Sequence, residues 1–225
     1  MLPASLSEIE RRLAPADIVL DVGGWAAPIE RADWVIDLMP YETRGLYGKS
    51  DPERERFSRE TWIQRDMCDR EPFPFADDSV DFVICSHTLE DIRDPVWVCH
   101  EMQRIARAGY IEVPSRLEEQ SFGVHGDWVG WSHHRWLVEI GEGRIEFAFK
   151  PGVLHGRREF QIPAGFAAAL PVEDRVQTLF WEGGFEVRER IFMSAEEADG
   201  YLAELVRSHP EARLRGRRRR LSRTR

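Results

Sequence analysis

The chain has little cysteine. Cys68, Cys85 and Cys99 are its only three, odd in number and widely spaced, which excludes a disulfide framework and a cysteine zinc pair. Cys85 and Cys99 read as small buried hydrophobes. No apolar run approaches the roughly 18–20 residues that cross a bilayer, so no transmembrane segment is expected. Met1-Leu2-Pro3-Ala4-Ser5 lacks a basic stretch followed by an apolar one, so no secretory signal is expected and cytoplasm is the default location. A basic surface is missing too. Net charge is −9, and Arg213 to Arg225 carry eight arginines and no acid, which leaves −17 on the rest. Such an acidic body argues against a nucleic-acid face, DNA included. The tail, with Arg217-Arg218-Arg219-Arg220, is either a disordered solvated terminus or a contact for RNA or anionic lipid. Oligomeric state is not legible.

What is present is the material of a soluble globular protein: 225 residues, 42% hydrophobic and 32% charged, enough for one domain with a sizeable core. Ile18 to Val22 is an apolar run that ends at Gly23-Gly24 with Asp21 in it, and reads as a buried parallel strand stopping at a loop. Trp34-Val35-Ile36 is a second, ending in Asp37. Thr61 to Arg65 is a third, closed by Asp66-Met67; Val80 to Cys85 is a fourth and Tyr110 to Pro114 a fifth. Ser5-Leu6-Ser7-Glu8 has capping-box spacing for a first helix, with Leu6, Ile9 and Leu13 on one face. Asp94-Pro95 starts another, with Val98, Met102 and Ile105 on one face and Gly109 as its stop.

Strands alternating with connections up to residue 114 predict an α/β fold, a Rossmann-like, mainly parallel sheet of about seven strands. Beyond it the chain reads as a β-rich cap. Trp136–Ile140 and Arg144–Phe149 form one hairpin, and Val176–Glu182 and Phe185–Phe192 flank Gly183-Gly184 as a second. A helix entering a strand at Gly184-Phe185 is the rival. One antiparallel hairpin is expected to complete the sheet. Residues 195–209 read as a terminal helix. The domain reading is 1–212, with a cofactor half 1–114 and an acceptor or cap half 115–212, then the tail 213–225.

In an open α/β sheet, ligands bind at the carboxyl ends of the strands. Acids at two such ends, Asp21 and Asp37, suggest one ligand contacted twice. A dinucleotide would require closely spaced glycines opening a helix, but Trp25 stands where the second spaced glycine would be, and little room remains for a helix before Trp34. A phosphate-free cation fits better, and S-adenosylmethionine is one. An ordinary strand-to-turn junction is the plainer alternative.

Taken in order, several segments resemble class I S-adenosylmethionine-dependent methyltransferases, in particular the type 11 methyltransferase-domain group. They are Val19-Leu20-Asp21-Val22-Gly23-Gly24, Asp37, Asp66-Met67, Pro72-Phe73-Pro74-Phe75-Ala76-Asp77-Asp78-Ser79-Val80-Asp81-Phe82-Val83, and Ser86-His87-Thr88-Leu89-Glu90-Asp91-Ile92-Arg93-Asp94-Pro95. The resemblance implies S-adenosylmethionine as cofactor. It places Asp21, Gly23 and Gly24 against the methionine part, Asp37 on the ribose hydroxyls, Asp66 on the adenine amine and Met67 against the ring. Trp25 and Leu38 join the cofactor-binding set, and Ser86 and His87 fall near the sulfonium. Two departures stand out. Trp25 replaces a glycine, and Asp91 stands where many relatives have histidine after Leu-Glu, which leaves open a weakened or lost activity.

Methyl transfer requires donor and acceptor in line in a water-poor pocket, and an oxygen acceptor of high pKa also requires a base. Candidates are His87 and the histidines of His125-Gly126-Asp127-Trp128-Val129-Gly130-Trp131-Ser132-His133-His134-Arg135-Trp136, with His133 and His134 foremost. That segment lines an acceptor pocket, is a packed loop or binds a metal. The metal reading is the least favoured, because no carboxylate or cysteine stands at ligand spacing beside His133-His134, and no metal site is expected. The expected function is methyl transfer to an oxygen or nitrogen of a small-molecule, natural-product or glycan-like acceptor. The alternative is a non-catalytic scaffold that keeps the cofactor pocket.

Overall fold

The computed structural model describes residues 1–46, 48, 50–210 and 212. The Arg-rich tail lies outside the described residues. In chain order the regular elements are α1 (Pro3–Arg12), β1 (Val19–Val22), β2 (Trp34–Asp37), β3 (Trp62–Gln64), β4 (Val80–Ser86), α2 (Pro95–Ile105), β5 (Ala106–Pro114), α3 (Arg116–Glu119), β6 (Trp136–Gly141), β7 (Arg144–Phe149), α4 (Val153–Gly156), β8 (Val176–Glu182), β9 (Glu186–Arg190) and α5 (Ala195–Ser208). No described helix is long and apolar enough to cross a membrane. The chain divides into two compact units. One holds residues 1–113 with 140–145 and 178–188; the other holds 114–139, 146–177 and 189 onward.

The first unit is built on a six-stranded sheet in the order β3-β2-β1-β4-β5-β8. β1 pairs in parallel with β2 and β4, β2 with β3, and β4 with β5. All four residues of β1 are buried, as a central strand covered on both faces requires. The fold class is the expected one, with six strands in the sheet instead of about seven. The sheet ends on β8 rather than on a hairpin. β8 and β9 flank Gly183-Gly184 as expected, but β9 joins β6 and β7 in a separate three-stranded sheet. The corner is tied down elsewhere: the Gly183 amide donates to Arg107 O at 2.9 Å and the Phe185 amide to the Gln103 side chain at 2.9 Å.

Strand alternation decides which side chains meet. Val19, Val35, Phe82, Ile84 and Tyr110 share one face and form a core with Ile9 of α1, Phe57 and Trp62. Two residues beyond Val19, Val35, Ile84 and Tyr110, on the same face and at the carboxyl ends, stand Asp21, Asp37, Ser86 and Glu112. The sheet therefore gathers its polar groups along one edge.

Two helix boundaries differ from expectation. α1 is capped at Leu2 with no side-chain bond, and Pro3 in its first turn supplies the fixed φ. Ser5 is thus interior, and Leu6 lies on the exposed side. Gly109 does not stop α2, which ends at Ile105. It lies inside β5, where a Cβ would come within 2.6 Å of Val83 O and 2.7 Å of the Trp181 ring.

The second unit has two apolar clusters. Val129, Leu137, Ala148, Leu154, Phe160, Tyr201 and Leu202 form one, and Ile162, Phe166, Val206 and Ala212 the other. α5, the expected terminal helix, contributes Tyr201, Leu202 and Val206.

Candidate functional site

No helix connects β1 to β2. Gly23 turns the chain at φ +81, and its amide donates to Ile36 O at 2.9 Å. A Cβ on Gly23 would lie 2.1 Å from Thr88 Oγ1, and one on Gly24 would lie 2.4 Å from Asp21 Oδ2, so both positions need glycine. Trp25 does not. Its amide donates to Asp37 Oδ2 at 3.0 Å while its ring packs toward the core and its Nε1 donates to Thr43 Oγ1 at 3.0 Å.

Carboxylates do here what helix carbonyls do elsewhere. Asp21 Oδ2 accepts from the Ile29 amide at 2.9 Å, and Asp37 Oδ1 from the Met39 amide at 2.8 Å. Burial pushes Asp21 up to about 7, against the Ile29 bond that opposes it and with help from Asp37. Asp37 is raised as well, mainly by burial. Asp37 Oδ2 accepts from the Trp25 amide and Oδ1 from the Met39 amide, and each carboxylate oxygen has a second lone pair. Leu38, 58% exposed, presents an apolar surface beside it.

At the end of β3, Asp66 Oδ1 accepts from the Cys68 amide at 2.9 Å, and Asp66 Oδ2 pairs with Arg93 at 2.8 Å. Met67 is buried. Arg93 carried no signal in the sequence.

His87 follows β4 in the left-handed region, at φ +53. Its Nε2 lies 3.0 Å from Glu112 Oε1 and its Nδ1 3.5 Å from Glu90 Oε1. Both acids are buried, and at 3.5 Å the second contact is an ion pair rather than a hydrogen bond, so both Glu90 oxygens lack a hydrogen-bond partner among the described residues. Glu112 also accepts from the Tyr110 hydroxyl at 2.6 Å and the Leu2 amide at 2.9 Å, and Ser86 Oγ is 3.4 Å away. Burial alone would lower His87, but the two carboxylates outweigh it and push it up to about 9. Burial alone would raise Glu112, but His87, Tyr110 and Leu2 hold it at about 2.

The candidate base His87 thus has a carboxylate near each ring nitrogen, an arrangement that favours its protonated form over one with a lone pair to accept a proton. Glu112 was missed, although an acid inside Tyr110-Ile111-Glu112-Val113 was a visible anomaly.

The pH dependence follows from the two signs. His87 is raised, so its contribution is full below about pH 6.5 and lost as pH rises through about 9. Glu112 is lowered, so its contribution is full above about pH 4.5 and lost as pH falls through about 2. The pair thus works fully between those two inner limits. Titrating the His87 ring by NMR should give a midpoint near 9, and Glu112→Gln should move it toward 6.5. A wild-type midpoint already near 6.5 would refute the clamp.

The other candidate bases belong to the second unit. His134 Nδ1 lies 2.7 Å from Glu119 Oε1, and Glu119 Oε2 accepts from Lys150 Nζ at 2.7 Å. All three side chains are at most 7% exposed. Lys150 also donates to Trp131 O at 2.9 Å. The Trp131 ring stacks on His134 and on His125, with centroids 5.8 and 5.5 Å apart. His133 and His134 meet edge to face at 4.7 Å, and His125 Nδ1 is 2.9 Å from Ser132 Oγ. Glu119 and Lys150 were not legible as partners of His134.

The sheet order reverses between β1 and β4, and acids stand along its carboxyl edge, where open α/β sheets take their ligands. Residues 41–111, roughly a third of the chain, match the methyltransferase-domain family. No curated protein matches. Among solved structures, the chain is similar to the YcgJ protein from Bacillus subtilis at 18% identity and TM-score 0.37, covering 49% of this chain and 50% of that one. A SAM-dependent methyltransferase from Aquifex aeolicus matches at 17% identity and TM-score 0.36, covering 51% and 69%. A complex of the Haloferax volcanii Trm112 methyltransferase activator with a putative methyltransferase matches at 20% identity and TM-score 0.38, covering 79% and 78%. The chain thus spans about half the length of the YcgJ structure.

Proposed function

We propose that the chain binds S-adenosylmethionine at the carboxyl edge of β1 and β2 and transfers its methyl group to an oxygen or nitrogen of a small-molecule, natural-product or glycan-like acceptor. The observation that carries this is the Gly23-Gly24 turn held between buried Asp21 and Asp37, in a chain whose residues 41–111 match methyltransferase domains. The group fits the residues present. Asp37 has lone pairs beyond its two amide bonds to accept ribose hydroxyls, Leu38 is an exposed apolar face for adenine, and a set of acids suits a cation. When bound, the cofactor supplies a methyl carbon already activated by a sulfonium.

This chain's residues bind and orient. Asp21, Gly23 and Gly24 would hold the methionine part. Asp66 and Met67 would hold the adenine, with Arg93 sharing the Asp66 carboxylate. Ser86 and the loop that His87 pins to Glu112 border the reacting end. His87 holds its proton there and does not remove one, so an acceptor that needs no base, such as a neutral amine, suits this edge best.

The clamped His87, together with Asp91 in place of histidine, favours a second reading: a scaffold that binds the cofactor without turnover. Calorimetry with S-adenosylmethionine and its demethylated product separates the two when paired with a turnover assay across amine, hydroxyl and sugar acceptors. Binding with turnover supports the enzyme. Tight binding without turnover supports the scaffold, and binding of neither compound overturns both.

A further inference from the structure

The sequence held no carboxylate at ligand spacing beside His133-His134, and no metal was expected there. The fold changes that chemistry, because Glu119 comes in from 15 positions upstream to meet the His134 ring. We infer that His133 and His134 form a transition-metal site in the second unit, for Zn2+, Ni2+ or Cu2+, with Glu119 as the residue that positions His134.

The two histidines can each offer a ring nitrogen within 4.8 Å of the other's. Zinc–imidazole bonds of about 2.0–2.1 Å place two ligand nitrogens about 3.3 Å apart in a tetrahedron, a closure that ring rotation supplies. His134 is the anchored partner. Its Nδ1 is committed to Glu119 at 2.7 Å, which makes Nε2 the nitrogen it presents. A carboxylate on one ring nitrogen and a metal on the other is the usual support for a metal-binding histidine: it selects the tautomer and raises ligand basicity.

Glu119 is itself fixed. Lys150 takes its second oxygen at 2.7 Å, Trp131 O holds Lys150 at 2.9 Å, and the Trp131 ring lies against His134. A carboxylate, an ammonium and an imidazole buried together are costly unless each is paired, and here the burden is spent on orienting one ring. His133 is exposed, so an ion reaches the pair from solvent on its side, with the buried His134 side chain behind it. Imidazole nitrogens suit zinc, nickel and copper rather than magnesium or calcium. Two protein ligands leave positions for water.

The test is isothermal titration of the untagged full chain, stripped of metal, with Zn2+ and then Ni2+, without cofactor. One equivalent should bind, and His133→Ala and His134→Ala should each weaken it at least about tenfold. Glu119→Gln should weaken it by about tenfold and Glu119→Asp should recover part of the loss. The two histidine variants keep the question decidable if Glu119→Gln fails to fold. Co2+ bound to the folded chain should give visible bands of a nitrogen-ligated ion, lost in the double histidine variant. No binding up to about 1 mM, or equal affinity in the double variant, overturns the site. Since no cofactor is present, either result is independent of the methyl-transfer reading.

Discussion

Asp37→Asn should weaken binding of S-adenosylmethionine by about ten- to a hundredfold, with the chain still folded. A hydrogen bond to a charged group contributes about 1.5–3 kcal/mol, and the proposed ribose contact uses the lone pairs that the Trp25 and Met39 amides leave on Asp37. Asparagine keeps one oxygen for the turn but replaces the other with a donor facing an amide. Alanine would be a poorer test, because it strands two amides at once and mixes binding with stability. Calorimetry of wild type and variant, each with its unfolding curve, separates the two effects. Unchanged affinity in a folded Asp37→Asn chain would remove Asp37 from the ribose.

Gly23→Ala should destabilise the chain by about 2–4 kcal/mol. Two costs combine: a side chain at φ +81, and a methyl group 2.1 Å from Thr88 Oγ1. Thr88→Ala in the same chain should recover only part of the steric cost, since the Thr88 Cβ, 2.7 Å from the added methyl, and the backbone penalty both stay. Urea unfolding of the four chains of this cycle gives the coupling directly. If the two substitutions simply add, Thr88 does not pack on Gly23 as described. Thr88 is also the residue through which the loop after β4 is seated on the turn after β1.

Much of the first unit was legible because its signals are local. Apolar runs bounded by turn formers located β1 to β4, and the acids at their ends followed from strand alternation. β5 began earlier than expected because Ala106-Arg107-Ala108-Gly109 has no β character of its own; pairing with β4 makes it a strand. Gly183-Gly184 announced a turn correctly, but a turn signal does not say which sheet each arm joins. Among the candidate site residues, Asp21, Gly23, Gly24 and Asp37 stand at the ends of β1 and β2, where the sequence pattern located them. The state of His87 could not be read that way, since its partner Glu112 is 25 residues away and only the parallel register of β4 and β5 brings them together. Glu119 and His134 illustrate the same limit in the second unit.

The helix-free link between β1 and β2 has a consequence for hydrogen–deuterium exchange. Amides at Trp25 and Ile29 are shielded by single carboxylate oxygens rather than by a cooperative ladder. Each can therefore open on its own, through motion of one side chain. In heavy water this corner should label residue by residue, earlier than the strands it joins, and occupancy of the edge by a ligand should slow it most.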